Sequence, residues 1–254
     1  MWPDVVDLRD FYATSLGGVA ARTVRARLRL MWPDVRGCRV LGLGYAGPYL
    51  SPFAEEAERV LAAMPMGQGV LHWPRGAANR AVLVDELDLP FPDNAFDRVL
   101  LVHAVENAES LRPMLREVWR VLADAGRIIV VVPNRRGIWA RVERTPFAHG
   151  HPYSARQLSR LLRDNLFTPT VTEGALFVPP SRSRMVLGAA TAWENLGTRL
   201  LPRFAGVVIM EATKQIYAVS GTPQRARRRT AYVPAGNVNR IAVTSSAEKR
   251  PAPR

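Results

Sequence analysis

Hydrophobic and polar positions along the chain follow two patterns, one typical of buried strands and one typical of amphipathic helices. Residues 96–103 and 127–132 are apolar runs rich in β-branched side chains, as expected of strands covered on both faces. Between them, Leu111, Leu115 and Val118 lie on one face of a helix. The same reasoning predicts strands at 39–43, 80–84, 96–103, 127–132, 170–177 and 207–212, and helices at 16–32, 55–64, 111–122 and 157–165, with one further strand after residue 64.

Strands that alternate with helices predict an α/β fold, a doubly wound and mostly parallel seven-stranded sheet. A chain of 254 residues with 48% hydrophobic content is long enough for one substantial core. We expect a helical lead-in at 1–37, the α/β domain at 38–220 and a disordered basic tail at 221–254. Within the domain, residues 179–204 are rich in proline and arginine and predict an excursion over the sheet edge.

The net charge of +13 is concentrated near the end of the sequence. Residues 221–254 contain eight basic side chains and one acidic side chain, Glu248. Such a tail attracts nucleic acid or anionic membrane weakly and without specificity, because no recognised nucleic-acid module accompanies it. We therefore expect no specific nucleic-acid partner.

Neither a membrane-spanning segment nor cysteine chemistry is expected from the sequence. Apolar runs of about 18 residues, the length that spans a bilayer, do not occur in it. The first residues are acidic and mixed, unlike a secretory signal. The single cysteine, Cys38, excludes an intramolecular disulfide and a multi-cysteine metal site. We expect a cytoplasmic protein without a bound metal.

A glycine-bearing turn, Gly42-Leu43-Gly44-Tyr45-Ala46-Gly47, follows the first predicted strand. Glycines there allow the backbone to approach a ligand closely, and the start of a following helix attracts negative charge. Pro48 and Pro52 restrict the start of that helix, which argues against the turn of a dinucleotide oxidoreductase. A ligand-binding turn and a simple strand-ending turn both fit these residues.

Residues 85–134 join an acidic loop, two strands and an amphipathic helix, reading DELDLPFPDNAFDRVLLVHAVENAESLRPMLREVWRVLADAGRIIVVVPN. This order resembles the second half of class I S-adenosylmethionine-dependent methyltransferases, in particular their type 11, small-molecule branch. The resemblance covers about residues 38–170 and implies a Rossmann-like methyltransferase fold, S-adenosyl-L-methionine as cofactor and a small-molecule substrate. It implies that Asp85 accepts a hydrogen bond from the adenine amino group, with Glu86 and Leu87 beside the ring. The remaining cofactor contacts that it implies are Gly42, Leu43, Gly44, Tyr45, Ala46 and His103.

The first half of the chain departs from this family's pattern. Gly42 stands where the family has an acidic residue, and Pro48 stands where it has a glycine. The family's carboxylate at the end of the second strand, which holds the ribose hydroxyls, has no counterpart in residues 61–66. Two functions therefore stay open: a methyltransferase, or a catalytically inactive methyltransferase-like fold that binds a protein partner or has a regulatory role.

Histidines supply the candidate catalytic and substrate-binding groups. His103 ends the fourth predicted strand, and Glu106 follows where it would orient the ring for proton transfer. His149 is a second candidate base. The resemblance implies that the loop before the last predicted helix covers the substrate. This makes His149, His151 and Tyr153 candidate substrate contacts, although loop packing explains these three residues equally well.

Two further features bear on the pocket. His149 and His151 have no third ligand nearby in sequence, so they do not predict a metal site. Phe11 and Tyr12 either close the pocket from the opposite side or pack in the core.

Overall fold

Seven strands form one sheet in the computed structural model of the protein, which describes residues 2–216. The strands are β1 (Arg39–Gly44), β2 (Arg59–Pro65), β3 (Ala81–Val84), β4 (Phe96–Val102), β5 (Leu122–Pro133), β6 (Phe167–Ala175) and β7 (Val207–Lys214). Their order is β3-β2-β1-β4-β5-β7-β6; β7 is antiparallel to both of its neighbours and the other pairs are parallel. The predicted doubly wound, mostly parallel sheet is confirmed.

Seven helices accompany the sheet in the described part of the chain. They are α1 (Val5–Ala13), α2 (Ser15–Met31), α3 (Gly47–Leu50), α4 (Leu111–Val121), α5 (Ala155–Asp164), α6 (Arg184–Gly188) and α7 (Ala190–Leu200). The helix α5 begins at a capping box in which Ser154 and Gln157 satisfy each other's backbone N–H groups. Within residues 2–216, none of the helices has the length and apolar character needed to cross a membrane.

The helix predicted at 55–64 is wrong, because this segment contains the second strand. Helix-favouring residues such as Glu55 and Ala62 suggest a helix, but Val60, Ala62, Ala63 and Met64 are buried in the middle of the sheet. Burial between β1 and β3 outweighs their local propensity. The excursion predicted at 179–204 contains α6 and α7, and the tail predicted at 221–254 lies outside the described residues.

The order of the strands reverses direction between β1 and β4. From β1 the chain proceeds outward through β2 to β3, and it then returns to place β4 on the opposite side of β1. In open α/β sheets, ligands bind in the crevice that forms at the carboxyl ends of the strands at such a point. Gly44 ends β1 and His103 directly follows β4, so both residues lie at this crevice.

Candidate functional site

Gly44 allows the ends of β1 and β4 to approach each other. Its φ is +84°, and a Cβ atom at this position would lie 2.4 Å from the carbonyl oxygen of Val102. The next residue, Tyr45, donates its backbone N–H to the same oxygen at 2.9 Å. His103 has a φ of +52°, a left-handed conformation that few residues with a side chain adopt. The two strand ends therefore hold Tyr45 and His103 side by side.

A buried chain of polar side chains begins at His103, whose imidazole is inaccessible to solvent. Its Nε2 atom lies 2.7 Å from the hydroxyl of Tyr12, and that hydroxyl lies 2.6 Å from the hydroxyl of Tyr49. On the other side of the ring, Nδ1 lies 3.2 Å from Oε1 of Glu106. With a proton on Nδ1, the N–H of the ring is directed towards Glu106. Nε2 then accepts a hydrogen bond from the Tyr12 hydroxyl, which in turn accepts one from the Tyr49 hydroxyl.

The buried carboxylate of Glu106 favours positive charge on the neighbouring His103 ring. The residue is 1% exposed, and neither carboxylate oxygen has an aligned hydrogen bond to any residue in the 2–216 range. A buried carboxylate without hydrogen bonds is costly, and a positive charge formed on the neighbouring His103 ring would offset that cost. Burial, followed by the contact with Tyr49, raises the pKa of the Tyr12 phenol well above its ordinary value. Tyr12 is therefore a neutral hydrogen-bond donor at physiological pH.

The segment from Trp2 to Ala13 crosses the carboxyl ends of three strands. The ring of Tyr12 stacks on Tyr45 at a centroid distance of 5.5 Å, beside the end of β1. The backbone N–H of Val5 donates to the carbonyl oxygen of Gln68 at 2.9 Å, just after β2. The indole N–H of Trp2 donates to Oε1 of Glu86 at 3.2 Å, just after β3. Residues 2–13 therefore form one wall of the crevice.

The acidic loop after β3 is clamped from α4. Asp85 is exposed, and its Oδ1 accepts the backbone N–H of Leu87 at 2.8 Å. Glu117 accepts the backbone N–H of Leu89 at 3.0 Å, and Arg120 donates to the carbonyl oxygen of Leu89 at 2.9 Å. Hydrogen bonds from Arg120 lower the pKa of the Glu117 carboxyl. The clamp fixes the backbone beside Asp85 without using the Asp85 side chain.

Gln68, which sequence reasoning missed, lies three residues after the end of β2, at the same edge of the sheet as Gly44 and His103. It is 2% exposed, and neither atom of its side-chain amide has a hydrogen-bond partner within residues 2–216. A buried amide that lacks partners is a group poised to bind a polar ligand. Sequence reasoning missed it because the carboxylate position was expected within residues 61–66, and the second strand was predicted after residue 64 although it spans Arg59–Pro65. A polar residue shortly after a buried strand was the available signal.

The residues of the glycine turn have different environments. Leu43 and Ala46 are fully buried, and a Cβ at Gly42 would lie 2.6 Å from atoms of both Ala46 and Leu50. Gly42 and Ala46 pack the turn against α3, whereas Leu43 belongs to the core cluster of α4 and α5. Five residues of this turn were predicted to contact the cofactor. Of these five, Gly44 and Tyr45 lie at the crevice.

The three predicted substrate contacts also lie in different environments. His149 lines a cavity of about 780 Å³, together with Trp2, Asp7, Phe11 and Gly67. His151 is exposed and donates its backbone N–H to the carbonyl oxygen of Glu106 at 2.8 Å. Tyr153 packs on the core cluster of α4 and α5, and partial burial raises the pKa of its phenol. Of these three residues, His149 is the one that the structure places on the cavity wall.

Residues 41–130 match the model of the methyltransferase domain family. The chain is 29% identical over 156 residues to the demethylmenaquinone methyltransferase of Thermus thermophilus. That alignment covers 61% of this chain and 63% of the relative, so the chain spans less than two thirds of the relative's length.

Solved structures share the fold. A SAM-dependent methyltransferase from Thermotoga maritima superposes with a TM-score of 0.58 at 16% identity, covering 83% of this chain and 96% of that one. The 1,6-didemethyltoxoflavin-N1-methyltransferase of Burkholderia thailandensis, solved with 1,6-didemethyltoxoflavin and S-adenosylhomocysteine bound, superposes with a TM-score of 0.53 at 18% identity. It covers 82% of each chain.

Proposed function

We propose that the protein transfers a methyl group from S-adenosyl-L-methionine to a small-molecule acceptor, because residues 41–130 match the methyltransferase domain model and the fold is that of such enzymes. The observation that carries this proposal is the crevice between the ends of β1 and β4. There Gly44 brings the strands together, and a buried histidine with an acidic partner lies beside the turn. The sequence similarity to a quinone methyltransferase supports an acceptor with a ring of that kind.

Three groups of this chain suit the cofactor. Gly44 leaves the backbone of the turn open where a side chain would clash with Val102. Asp85 has an exposed carboxylate with one oxygen free of the Leu87 hydrogen bond, as an acceptor for an amino group requires. Gln68 offers an acceptor and a donor in place of the missing ribose-binding carboxylate. The bound cofactor would supply an electrophilic methyl group.

The chain's own residues would position the acceptor and remove its proton. The Tyr12 hydroxyl donates to His103, so the loss of an acceptor proton to Tyr12 would be accompanied by transfer of the phenolic proton to Nε2. Glu106 would stabilise the resulting imidazolium. The cavity of about 450 Å³ that Tyr12 and Tyr45 line has the size of a small-molecule site. Much of the rate enhancement would come from holding the two reactants in line.

Isothermal titration of the full-length protein with S-adenosylmethionine and S-adenosylhomocysteine tests the first half of the proposal. We expect binding of both ligands, with the second detected also as an increase in melting temperature. Absence of binding at millimolar ligand would refute the methyltransferase proposal. Mass spectrometry of reactions with hydroxylated naphthalenes and simple amines would then identify the acceptor class by the added methyl group.

A catalytically inactive fold that binds a protein partner is the second candidate function. It is favoured by the contacts of residues 2–13, which cover the ends of β1, β2 and β3 where a cofactor would lie. Titration with the cofactor separates the two functions, and its repetition with Trp2→Ala removes the indole at the β3 end of the crevice as an obstacle to binding. A methyltransferase binds the cofactor with or without this change, whereas an inactive fold binds it in neither protein and co-purifies with a partner.

A further inference from the structure

The helices α6 and α7 present large apolar side chains to solvent. Trp193, Leu196 and Leu200 lie at i, i+3 and i+7 of α7, and therefore form one stripe along the helix. They are 39%, 53% and 68% exposed. The flanking residues Met185, Leu201 and Phe204 are also exposed, at 85%, 53% and 56%. We refer to residues 184–204 as the α6–α7 surface.

The orientation of α7 is fixed by its buried face, which carries Glu194 and Gly197. Glu194 is buried, and its Oε1 accepts the backbone N–H groups of Phe177 and Val178. Gly197 lies so close to Phe177 that a Cβ there would be 2.3 Å from the ring. Rotation of the helix to bury its apolar stripe would break these contacts and expose the Glu194 pocket. The stripe therefore faces outward because of how the helix is packed.

The charges around the stripe have one sign. Arg182, Arg184, Arg199 and Arg203 are all exposed. Glu194 is the single acidic residue between positions 174 and 210, and it faces inward. An apolar centre with an aromatic side chain and a rim of arginines has the composition of a helix that lies in the headgroup region of a membrane. Each basic side chain near an anionic bilayer adds to the attraction.

The α6 end of this surface lies near the cavity beside His149. Phe11 and Arg144 line the cavity beside His149, and they also line a second cavity of about 370 Å³ that reaches Arg182 and Leu187. The guanidinium of Arg144 donates to the carbonyl oxygen of Pro180, which ties this wall to the segment before α6.

From these observations we propose that the α6–α7 surface binds an anionic lipid bilayer, with Trp193, Leu196 and Leu200 inserted among the headgroups. The arginines would lie at the level of the lipid phosphates. The basic segment 221–254 is an unfavourable occupant, since its eight basic residues carry the same sign as the rim. If the methyltransferase proposal also holds, the position of this surface implies a lipid-soluble acceptor. Membrane binding itself does not depend on that proposal.

Vesicle flotation with the full-length protein tests the surface directly. We expect binding to vesicles of phosphatidylcholine and phosphatidylglycerol in equal parts, and much weaker binding to phosphatidylcholine alone. The triple variant Trp193→Ser, Leu196→Ser, Leu200→Ser should weaken binding about tenfold or more. The matched control is Leu83→Ser with Val171→Ser, which removes two exposed apolar side chains from the strands at the sheet edges and should bind as the parent does.

Three outcomes would overturn the proposal. The first is failure of the parent protein to bind vesicles, and the second is equal binding by the triple variant, which would assign the interaction to the basic segment 221–254. The third is a parent dimer that the triple variant converts to a monomer, since the stripe would then be an interface between protein copies. Circular dichroism and melting temperature must show that the triple variant is folded.

Tryptophan fluorescence provides a second measurement that does not depend on removing the stripe. Lipids brominated near the headgroup should quench the emission of the bound parent protein. The variant Trp193→Phe should bind with little loss and show substantially less quenching. Unchanged quenching in this variant would contradict insertion at Trp193. No cofactor is present in either assay, so failure here and failure of the methyltransferase proposal are distinguishable.

Discussion

The hydroxyl of Tyr12 lies 2.7 Å from Nε2 of His103, although 91 positions separate the two residues in the sequence. This hydrogen bond joins the first helix to the end of β4. It also couples a phenol to an imidazole that has a buried carboxylate on its far side. The role of that coupling can be separated from simple packing by small substitutions.

Tyr12→Phe removes the hydroxyl and keeps the ring that stacks on Tyr45. We expect kcat to fall about 100-fold, because the acceptor proton would lose its path to His103. The affinity for S-adenosylhomocysteine should change little, since the wall of the crevice is retained. Steady-state kinetics and titration calorimetry would measure both quantities. Full activity in the variant would show that the hydrogen bond serves packing alone.

Gln68→Ala removes the unpartnered amide after β2. If this amide holds the ribose hydroxyls, the affinity for S-adenosylhomocysteine should fall about tenfold, the loss of one to two hydrogen bonds. Met66→Ala, an exposed residue of the same turn, is the matched control and should bind normally. Equal affinities of the two variants in calorimetry would remove Gln68 from the cofactor site.

Asp85→Ala tests the acidic loop after β3. The clamp by Glu117 and Arg120 does not involve the Asp85 side chain, so the fold should persist with a small loss of stability. Cofactor affinity should fall about tenfold through the loss of a charged acceptor. Asp88→Ala changes an exposed acid of the same loop and should leave the affinity unchanged. A weaker affinity in both variants would point to a general charge effect.

Gly44→Ala should destabilise the protein by about 2 kcal/mol or more, because the new Cβ would meet the Val102 carbonyl oxygen at a φ of +84°. Gly18→Ala, within α2, provides the contrast. Its nearest neighbour would be a side-chain nitrogen at 3.5 Å, and the helix should gain up to about 1 kcal/mol. Urea unfolding of the three proteins measures both changes, and similar stabilities would refute the close approach of β1 and β4.

Glu117→Gln tests the electrostatic part of the loop clamp. Arg120 lowers the pKa of the Glu117 carboxyl from its ordinary 4.5. The stabilisation from this shift is therefore complete above pH 4.5 and is lost as the pH falls through the lower folded-state pKa. The variant should be less stable by about 1 kcal/mol at neutral pH. Urea unfolding at several pH values should show this difference shrinking below pH 4.5; a constant difference would contradict the pKa shift.

Much of the architecture was predictable because hydrophobic periodicity reports burial. The stripe of α4 and the capping box of α5 are local patterns, and both are confirmed. The second strand was not predictable in this way, since its alanines and the glutamates just before it favour a helix until β1 and β3 bury the segment. The sequence therefore predicted the carboxyl ends of β3 and β4 correctly, whereas it misplaced the carboxyl end of β2.

The contacts between distant segments were the least predictable part of the site. Trp2 and Tyr12 are unremarkable aromatic residues in the sequence, and no spacing rule relates them to Glu86 or His103. Their roles depend on the path of residues 2–13 across the sheet, which tertiary packing decides. The orphaned amide of Gln68 was equally hidden, because hydrogen-bond satisfaction is a property of the folded chain alone.

The position of β7 between β5 and β6 has a consequence for synthesis of the protein. This strand pairs with β5 on one side and β6 on the other, and its Glu211 accepts the indole N–H of Trp32 at 3.1 Å. On the ribosome, β5 and β6 emerge long before residues 207–214 do, and each then has an unpaired edge. Such edges are templates for aggregation. The nascent chain must therefore remain soluble while two of its seven strands are not yet in the sheet, and chaperones that shield apolar strands would act in this interval.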